Sequence, residues 1–335
     1  MYSDIPLWLS LVFMAGGFVA LAWSSDAFVD GAARLALLLG ISPLVVGMVI
    51  IGFGTSAPEL CVSALAGAAD HSDLSLGNAY GSCIFNIAVI LGVAALIFPL
   101  RVRPVTASVA GAGLAAISLF SVFVLRDGSC SRAEGVVFLL AFAVLLPLYC
   151  WFDQKTRGNA PDGQAEGAGR PARGWRDGVG AAVKIVVGLV VLVGSSHCLV
   201  WGAVDFAKLV GASDLVIGLT IVAIGTSLPE LASAVASARR GEHEFVLGNV
   251  IGSNMFNMLA VVGLATVISP ADGFSPYILR RDLPFMAALS LSILVFGSNW
   301  RRRGENGAIG RRQAAAWLLS FAVYTAIMLY QELAK

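Results

Sequence analysis

The chain has 335 residues, 58% of them hydrophobic and 13% charged, with a formal net charge of +1. A soluble domain built around one core does not have this composition, whereas a polytopic membrane protein does. The near-neutral balance leaves no electrostatic footprint for nucleic acid, and no P-loop lysine motif marks a nucleotide site.

Apolar stretches long enough to cross a bilayer recur along the whole length. They predict an all-α protein with ten transmembrane helices, near residues 6–25, 43–68, 74–97, 104–125, 134–152, 178–204, 215–238, 245–268, 283–299 and 313–331. No Lys or Arg precedes Arg34, so the first stretch lacks the basic region of a cleaved signal peptide. Residues 26–40 continue it, either as a long tilted helix or as an interfacial extension. Residues 153–177, rich in Gly, Pro and charge, read as a cytoplasmic linker between a first half (1–152) and a second (178–335). With the N-terminus outside, sixteen of the 22 basic residues fall on the cytoplasmic side, so both termini are expected outside the plasma membrane (the inner membrane of a bacterium). The five cysteines (Cys61, Cys83, Cys130, Cys150 and Cys198) show no CxxC spacing, and neither a metal cluster nor a disulfide framework is expected.

Two polar interruptions stand out. Residues 54–60 read GTSAPEL and residues 76–86 read LGNAYGSCIFN; adding 171 lands on GTSLPEL (225–231) and LGNVIGSNMFN (247–257). Over positions 54–94, fifteen of 41 residues are identical, concentrated at polar, Gly and Pro positions where apolar composition cannot manufacture a match. The two motifs lie five predicted crossings apart, and an odd number reverses the direction of insertion. Two inverted five-helix repeats with a shared site at the midplane are therefore expected, an architecture suited to alternating access.

Pro58 has no amide hydrogen, so the carbonyl of Gly54 loses its helical partner and that of Thr55 is crowded; Pro229 does the same to Gly225 and Thr226. Freed carbonyls inside a bilayer are costly unless they line a cavity or bind something. Glu59 and Glu230 follow one residue later. Each half thus offers a carboxylate, the hydroxyls of Thr55 and Ser56 or of Thr226 and Ser227, and loosened carbonyls, together an all-oxygen cage of formal charge −2. Such a cage suits Ca²⁺, which takes about 6–8 oxygen ligands, and Na⁺ accepts the same hard donors. On the next helix of each half, Asn78, Ser82 and Asn86, and likewise Asn249, Ser253 and Asn257, are spaced four apart and form one polar stripe. Gly77, Gly81, Gly248 and Gly252 beside the stripes would allow close backbone approach. For Asn78 and Asn249, packing or capping competes with ligation. A buried His197 could relay protons or simply find a hydrogen-bond partner. An intramembrane carboxylate is costly enough to mark function, and two of them related by a repeat point to an ion site.

GTSAPEL with GNxxGSxxxN, duplicated across two halves, resembles the calcium:cation antiporter family, which includes the sodium/calcium exchangers. The resemblance covers nearly the whole chain. It implies a ten-helix inverted-repeat fold in which helices 2, 3, 7 and 8 hold the ions while helices 1 and 6 slide across them. It further implies Glu59 and Glu230 as shared Ca²⁺ ligands, helped by the Thr55 and Thr226 carbonyls. Ser56, Ser82, Ser227 and Ser253 would supply Na⁺-site hydroxyls, and Asn86 and Asn257 the central polar pair. The chain departs from the family in three ways. Asn257 stands where well-studied sodium/calcium exchangers carry Asp, and potassium-dependent relatives carry Asp at both central positions. Cys83 stands opposite Asn254. The segment between the halves has no room for the calcium-sensing domain of animal exchangers.

A −2 cage is neutralised by one Ca²⁺, two Na⁺ or two H⁺, and a third Na⁺ would leave net positive charge in a low-dielectric interior. The expected function is secondary Ca²⁺/Na⁺ antiport with 2:1 rather than 3:1 stoichiometry; the alternative is proton-coupled Ca²⁺ or Mn²⁺ antiport. An intramembrane lipid-diphosphate hydrolase is a distant third reading, since phosphate chemistry calls for Arg or His beside the motifs and neither motif contains one. The expected partners are Ca²⁺, Na⁺ or H⁺ and the lipid bilayer, with no enzyme activity, cofactor or obligatory protein partner.

Overall fold

The computed structural model describes residues 6–68, 72–102, 104–157, 175–209, 223–271, 273–297 and 307–333. Most of the expected linker, the start of the expected seventh crossing and the arginines at 301–303 lie outside these residues. The helices are α1 (Leu7–Leu39), α2 (Pro43–Thr55), α3 (Ala57–Ala68), α4 (Ser72–Ile97), α5 (Pro104–Val124), α6 (Arg132–Arg157), α7 (Trp175–Leu209), α8 (Ala223–Thr226), α9 (Leu228–Arg239), α10 (His243–Ile268), α11 (Leu283–Gly297) and α12 (Arg311–Leu333). Among the described residues, seven helices are long and apolar enough to cross a membrane, and α2 with α3 forms an eighth span bent by 46°.

Of the two readings open for residues 26–40, the structure takes the long helix. Helix α1 runs unbroken for 33 residues, about 50 Å at 1.5 Å per residue and well beyond a ~30 Å hydrocarbon core. It stops where Gly40 takes a left-handed conformation (φ 62°) and returns its N–H to Ala36. Ser42 then caps α2 through Val45 N–H, with Pro43 in the first turn. The Ser42 hydroxyl also donates to Asp153 on α6 at 2.6 Å.

Helices α1 and α7 are antiparallel. Ser10 meets Asp205 and Gly202, Gly17 meets Leu199, Phe28 meets Gly188, and Gly31 meets Ala181, one chain ascending as the other descends. Helices α5 and α11 also run antiparallel, through Gly111 against Leu294 and Ser118 against Ser290. The centre belongs to α4 and α10, buried over 72% and 83% of their apolar windows against 11–22% for α1, α6, α7 and α12. The outer helices turn Trp8, Phe18, Trp23, Val186 and Val190 outward, the surface expected to meet lipid.

The chain is not wholly helical. Leu100–Val102 (β1) pairs antiparallel with Gly307–Ile309 (β2), and Cys130 bridges Ala271. Leu100–Val102 and Ala271 lie just past the ends of α4 and α10, while their partners Gly307–Ile309 and Cys130 lie just before α12 and α6, so backbone groups are satisfied where helices end and begin. Of the four glycines expected to permit close approach, two do so among the described residues. A Cβ on Gly248 would collide with the Leu44 carbonyl, and one on Gly252 with that of Met48. Among the described residues Gly77 and Gly81 meet nothing within 4 Å. Their mirrored neighbours, Leu215 and Leu219, lie outside the described residues.

Candidate functional site

Both glutamates sit just past a helix break. Ser56 interrupts α2 and α3, and Ser227 interrupts α8 and α9, each directly before the turn that contains the proline. Glu59 and Glu230 therefore open the first turns of α3 and α9, and each is only 1% exposed. The Ser56 hydroxyl donates to Glu230 Oε1 at 3.1 Å, and the Ser227 hydroxyl donates to Glu59 Oε1 at 3.4 Å. Each motif thus serves the carboxylate of the other, and the two broken helices are joined at their most polar point. The second oxygen of each carboxylate, Oε2, is buried and accepts no hydrogen bond from the described residues. None of the ion pairs among the described residues involves either glutamate.

The polar stripes brace this pair from α4 and α10. Asn78 Nδ2 donates to the Glu59 carbonyl at 3.3 Å and to Ser63 Oγ at 2.9 Å, while Asn249 Nδ2 donates to the Glu230 carbonyl at 3.2 Å. These amides are engaged with the backbone of the broken helices, as packing groups would be. Asn249 Oδ1 faces the hydroxyls of Thr55 (3.5 Å) and Ser253 (3.4 Å). Thr55 Oγ1 makes its shorter bond to Ile51 O at 2.9 Å, within its own helix. Ser253 also reaches the Gly52 carbonyl at 3.3 Å. Ser82 is buried on α4, and Thr226 is half-buried at the end of α8. Asn86 and Asn257 lie in π-helical turns, Asn86–Leu91 and Phe256–Val261. Such turns displace one residue from the regular ladder and recur at functional sites.

The freed carbonyls behave differently in the two halves. Gly225 O accepts the Ser196 hydroxyl of α7 at 2.9 Å, so the group released by Pro229 is satisfied by a neighbouring helix. The counterpart hydroxyl, Ser25 on α1, donates to Ala22 O in its own helix. His197 lies on the exposed side of α7. Sequence reasoning also passed over Ser63 and Ser196, which carry no motif, and treated Asn254 only as the residue opposite Cys83. The mismatch at that one position inside an otherwise repeated GSxxFN was the available signal.

Among the described residues no group of three or more His, Cys, Asp and Glu side chains gathers as for a metal ion. The charge of the site is that of two carboxylates, surrounded by neutral oxygen and amide groups.

Fold and site together define a polytopic helical membrane protein with two broken helices whose buried carboxylates meet. The chain belongs to the sodium/calcium exchanger protein family, whose model matches residues 9–151 and 180–330, and it is a transporter rather than an enzyme. It is 40% identical over 319 residues to the putative antiporter CaxA of Alkalimonas amylolytica, covering 94% of this chain and 97% of that one. It is 36% identical over 309 residues to the inner membrane protein YrbG of Escherichia coli, covering 89% and 91%. A solved structure of the sodium-calcium exchanger NCX_Mj, soaked with zero Na⁺ and Ca²⁺, superposes with a TM-score of 0.82 at 28% identity, covering 96% of this chain and 100% of that one.

Proposed function

We propose that the chain is a secondary antiporter that exchanges Ca²⁺ for Na⁺ across the plasma membrane by alternating access. The observation that carries this reading is the reciprocal serine–glutamate pairing. Two buried carboxylates, supplied by two related halves, share hydroxyl donors, and among the described residues each keeps one oxygen without a partner and meets no cation to neutralise it. Buried charges are paired or bind cations, and hard oxygen donors select Ca²⁺ and Na⁺. In the proposed site Glu59 and Glu230 are the charged ligands and the Thr55 and Thr226 carbonyls assist. Ser56, Ser82, Ser227, Ser253, Asn86 and Asn257 supply neutral donors.

Ten crossings in two inverted repeats, 1–152 and 178–335 joined by 153–177, are part of the reading. It is supported by the antiparallel pairing of α1 with α7 and of α5 with α11, helices that correspond in the sequence repeat. Placing both termini outside agrees with the distribution of Lys and Arg and puts the ion pairs of Asp26 and Asp30 with Lys184, Arg239 and Arg240 at the cytoplasmic ends of their helices. With two carboxylates, exchange of two Na⁺ for one Ca²⁺ keeps the cage neutral at each half-cycle and moves no net charge. A 3:1 exchange would move one charge, worth about 2.3 kcal/mol per 100 mV.

The test uses purified protein in tight liposomes loaded with Na⁺ and diluted into Na⁺-free buffer, with ⁴⁵Ca²⁺ uptake followed beside an imposed pH gradient. Uptake driven by Na⁺ and lost in Glu59→Gln and Glu230→Gln is the expected result. Uptake driven only by the pH gradient moves the coupling to protons, and a voltage dependence fitting three Na⁺ per Ca²⁺ refutes the neutral stoichiometry. No glutamate-dependent uptake under either gradient refutes the transport of Ca²⁺.

A further inference from the structure

The exchange of halves that relates the two motifs passes through one contact between α4 and α10, at the counterpart residues Cys83 and Asn254. Cys83 Sγ donates to the Asn254 carbonyl at 3.8 Å, and Asn254 Nδ2 donates to the Cys83 carbonyl at 3.4 Å. Up to this point thiol and amide do the same thing. Asn254 has one polar atom more. Its Oδ1 accepts from Nδ2 of Asn86 at 3.0 Å. A thiol has no second atom to offer in the mirrored place. Asn257, the counterpart of Asn86, is fully buried, and among the described residues neither its Oδ1 nor its Nδ2 has a hydrogen-bond partner. Buried amides are nearly always paired, so one that the protein leaves unpaired calls for a specific partner from elsewhere.

We propose that Asn254 is a positioning residue of the cation cage, which therefore carries two unequal neutral ligands: Asn86, held by Asn254, and Asn257, held by no described residue because Cys83 stands opposite. Asn254 ties back the donor end of the Asn86 amide and leaves Oδ1, itself without a partner, as the end available to a cation. A cation ligand must present oxygen, and an amide fixed with oxygen free does not have to turn when the ion enters. Asn257 is free to present Oδ1 to a cation or Nδ2 to a carboxylate, so it contributes adaptability rather than a fixed ligand. Groups that orient a metal ligand through a hydrogen bond typically change affinity by about 10–100-fold when removed. The inference rests on the antiport reading of the same site.

The experiment compares Asn86→Ala with Asn257→Ala in two backgrounds, the natural one and Cys83→Asn/Asn254→Cys, which exchanges the two residues across the repeat. The readout is the Ca²⁺ concentration for half-maximal ⁴⁵Ca²⁺ uptake in liposomes, beside maximal uptake. In the natural background Asn86→Ala should raise the half-saturating concentration about tenfold more than Asn257→Ala does. In the exchanged background the order should reverse, because the holding amide now serves Asn257. A packing role for residue 254 would not invert which asparagine matters, so an unchanged order in a folded, exchanged protein overturns the proposal. Should the exchanged protein fail to give a monodisperse profile in detergent, Asn254→Ser is combined with Asn86→Ala. Loss of the holding group then has no further effect once Asn86 is gone, and additive effects overturn the proposal. If the natural protein shows no glutamate-dependent uptake, the antiport reading itself has failed, which is a different result from an unchanged order.

Discussion

Two sets of carboxylates in this molecule meet opposite fates. Asp26 and Asp30 lie on α1 toward its C-terminal end and are partly exposed, and four cations surround them. Asp30 pairs with Arg34 (3.2 Å), Lys184 (2.5 Å) and Arg240 (3.1 Å), and Asp26 pairs with Arg239 and Arg240. Glu59 and Glu230 are buried at helix breaks, and among the described residues their partners are neutral, serine hydroxyls on the carboxylates and asparagine amides on the backbone carbonyls. A carboxylate with a guanidinium beside it is already neutralised and acts as a fastening, here between α1, α7 and the end of α9. A carboxylate given neutral donors in a low-dielectric setting must take up a cation or a proton, because the cost of leaving it bare and charged is large. The same functional group is a joint in one place and, in the proposed function, a binding group in the other, and the neighbours decide which.

The comparison breaks most sharply at the glutamates. Glu59→Gln or Glu230→Gln removes half of the cage charge, and ⁴⁵Ca²⁺ uptake should fall by more than about 100-fold, beyond the usual effect of losing a supporting group. Next come the hydroxyls. Ser56→Ala or Ser227→Ala strips the hydrogen bond from the carboxylate of the other half, and the half-saturating Ca²⁺ concentration should rise about tenfold, with both single changes acting alike because the bonds are reciprocal. Unequal effects of the two would show that the pairing is not symmetrical in the transporting protein. Pro58→Ala restores an N–H that the Gly54 carbonyl can accept. It should raise the thermal midpoint in detergent while slowing uptake several-fold, the signature of a break that serves function at some expense of stability. The smallest effect is expected at the fastening. Asp30→Asn removes ion pairs that are partly exposed, each worth about 0–1 kcal/mol. The half-saturating Ca²⁺ concentration should stay within about twofold, with a modest drop in thermal midpoint that shrinks as salt rises. A loss of uptake comparable to that of Glu59→Gln would erase the distinction between the two sets.

The paired fragments GTSxPEL and LGNxxGSxxFN marked the segments that the structure brings together, because a Pro–Glu step inside an apolar run has few uses and a duplicated one has fewer. The bend in the second span follows from Pro58 alone, and the helix resumes one residue before it. The length of α1 was only half legible. Residues 26–40 left a long tilted helix and an interfacial extension both open, because they carry Asp26, Asp30 and Arg34. The helix continues through them because Lys184, Arg239 and Arg240, distant in sequence, come alongside. The short ribbon of 100–102 with 307–309 was hidden for a related reason, since three residues carry little pattern and the pairing is between opposite ends of the chain.

Sequence by itself determined the membrane class, the duplication, the two breaks and the identity of the buried carboxylates. Each depends on local chemistry: apolar length, a missing amide hydrogen, a charge where none is cheap. Only the tertiary structure decided that Ser56 serves Glu230 while Ser227 serves Glu59, that Ser196 satisfies Gly225, and that Asn254 holds Asn86 while Asn257 goes unheld. A hydrogen bond between residues about 170 positions apart is set by how two helices cross and which side chain is long enough to reach, and neither quantity is written in either segment alone.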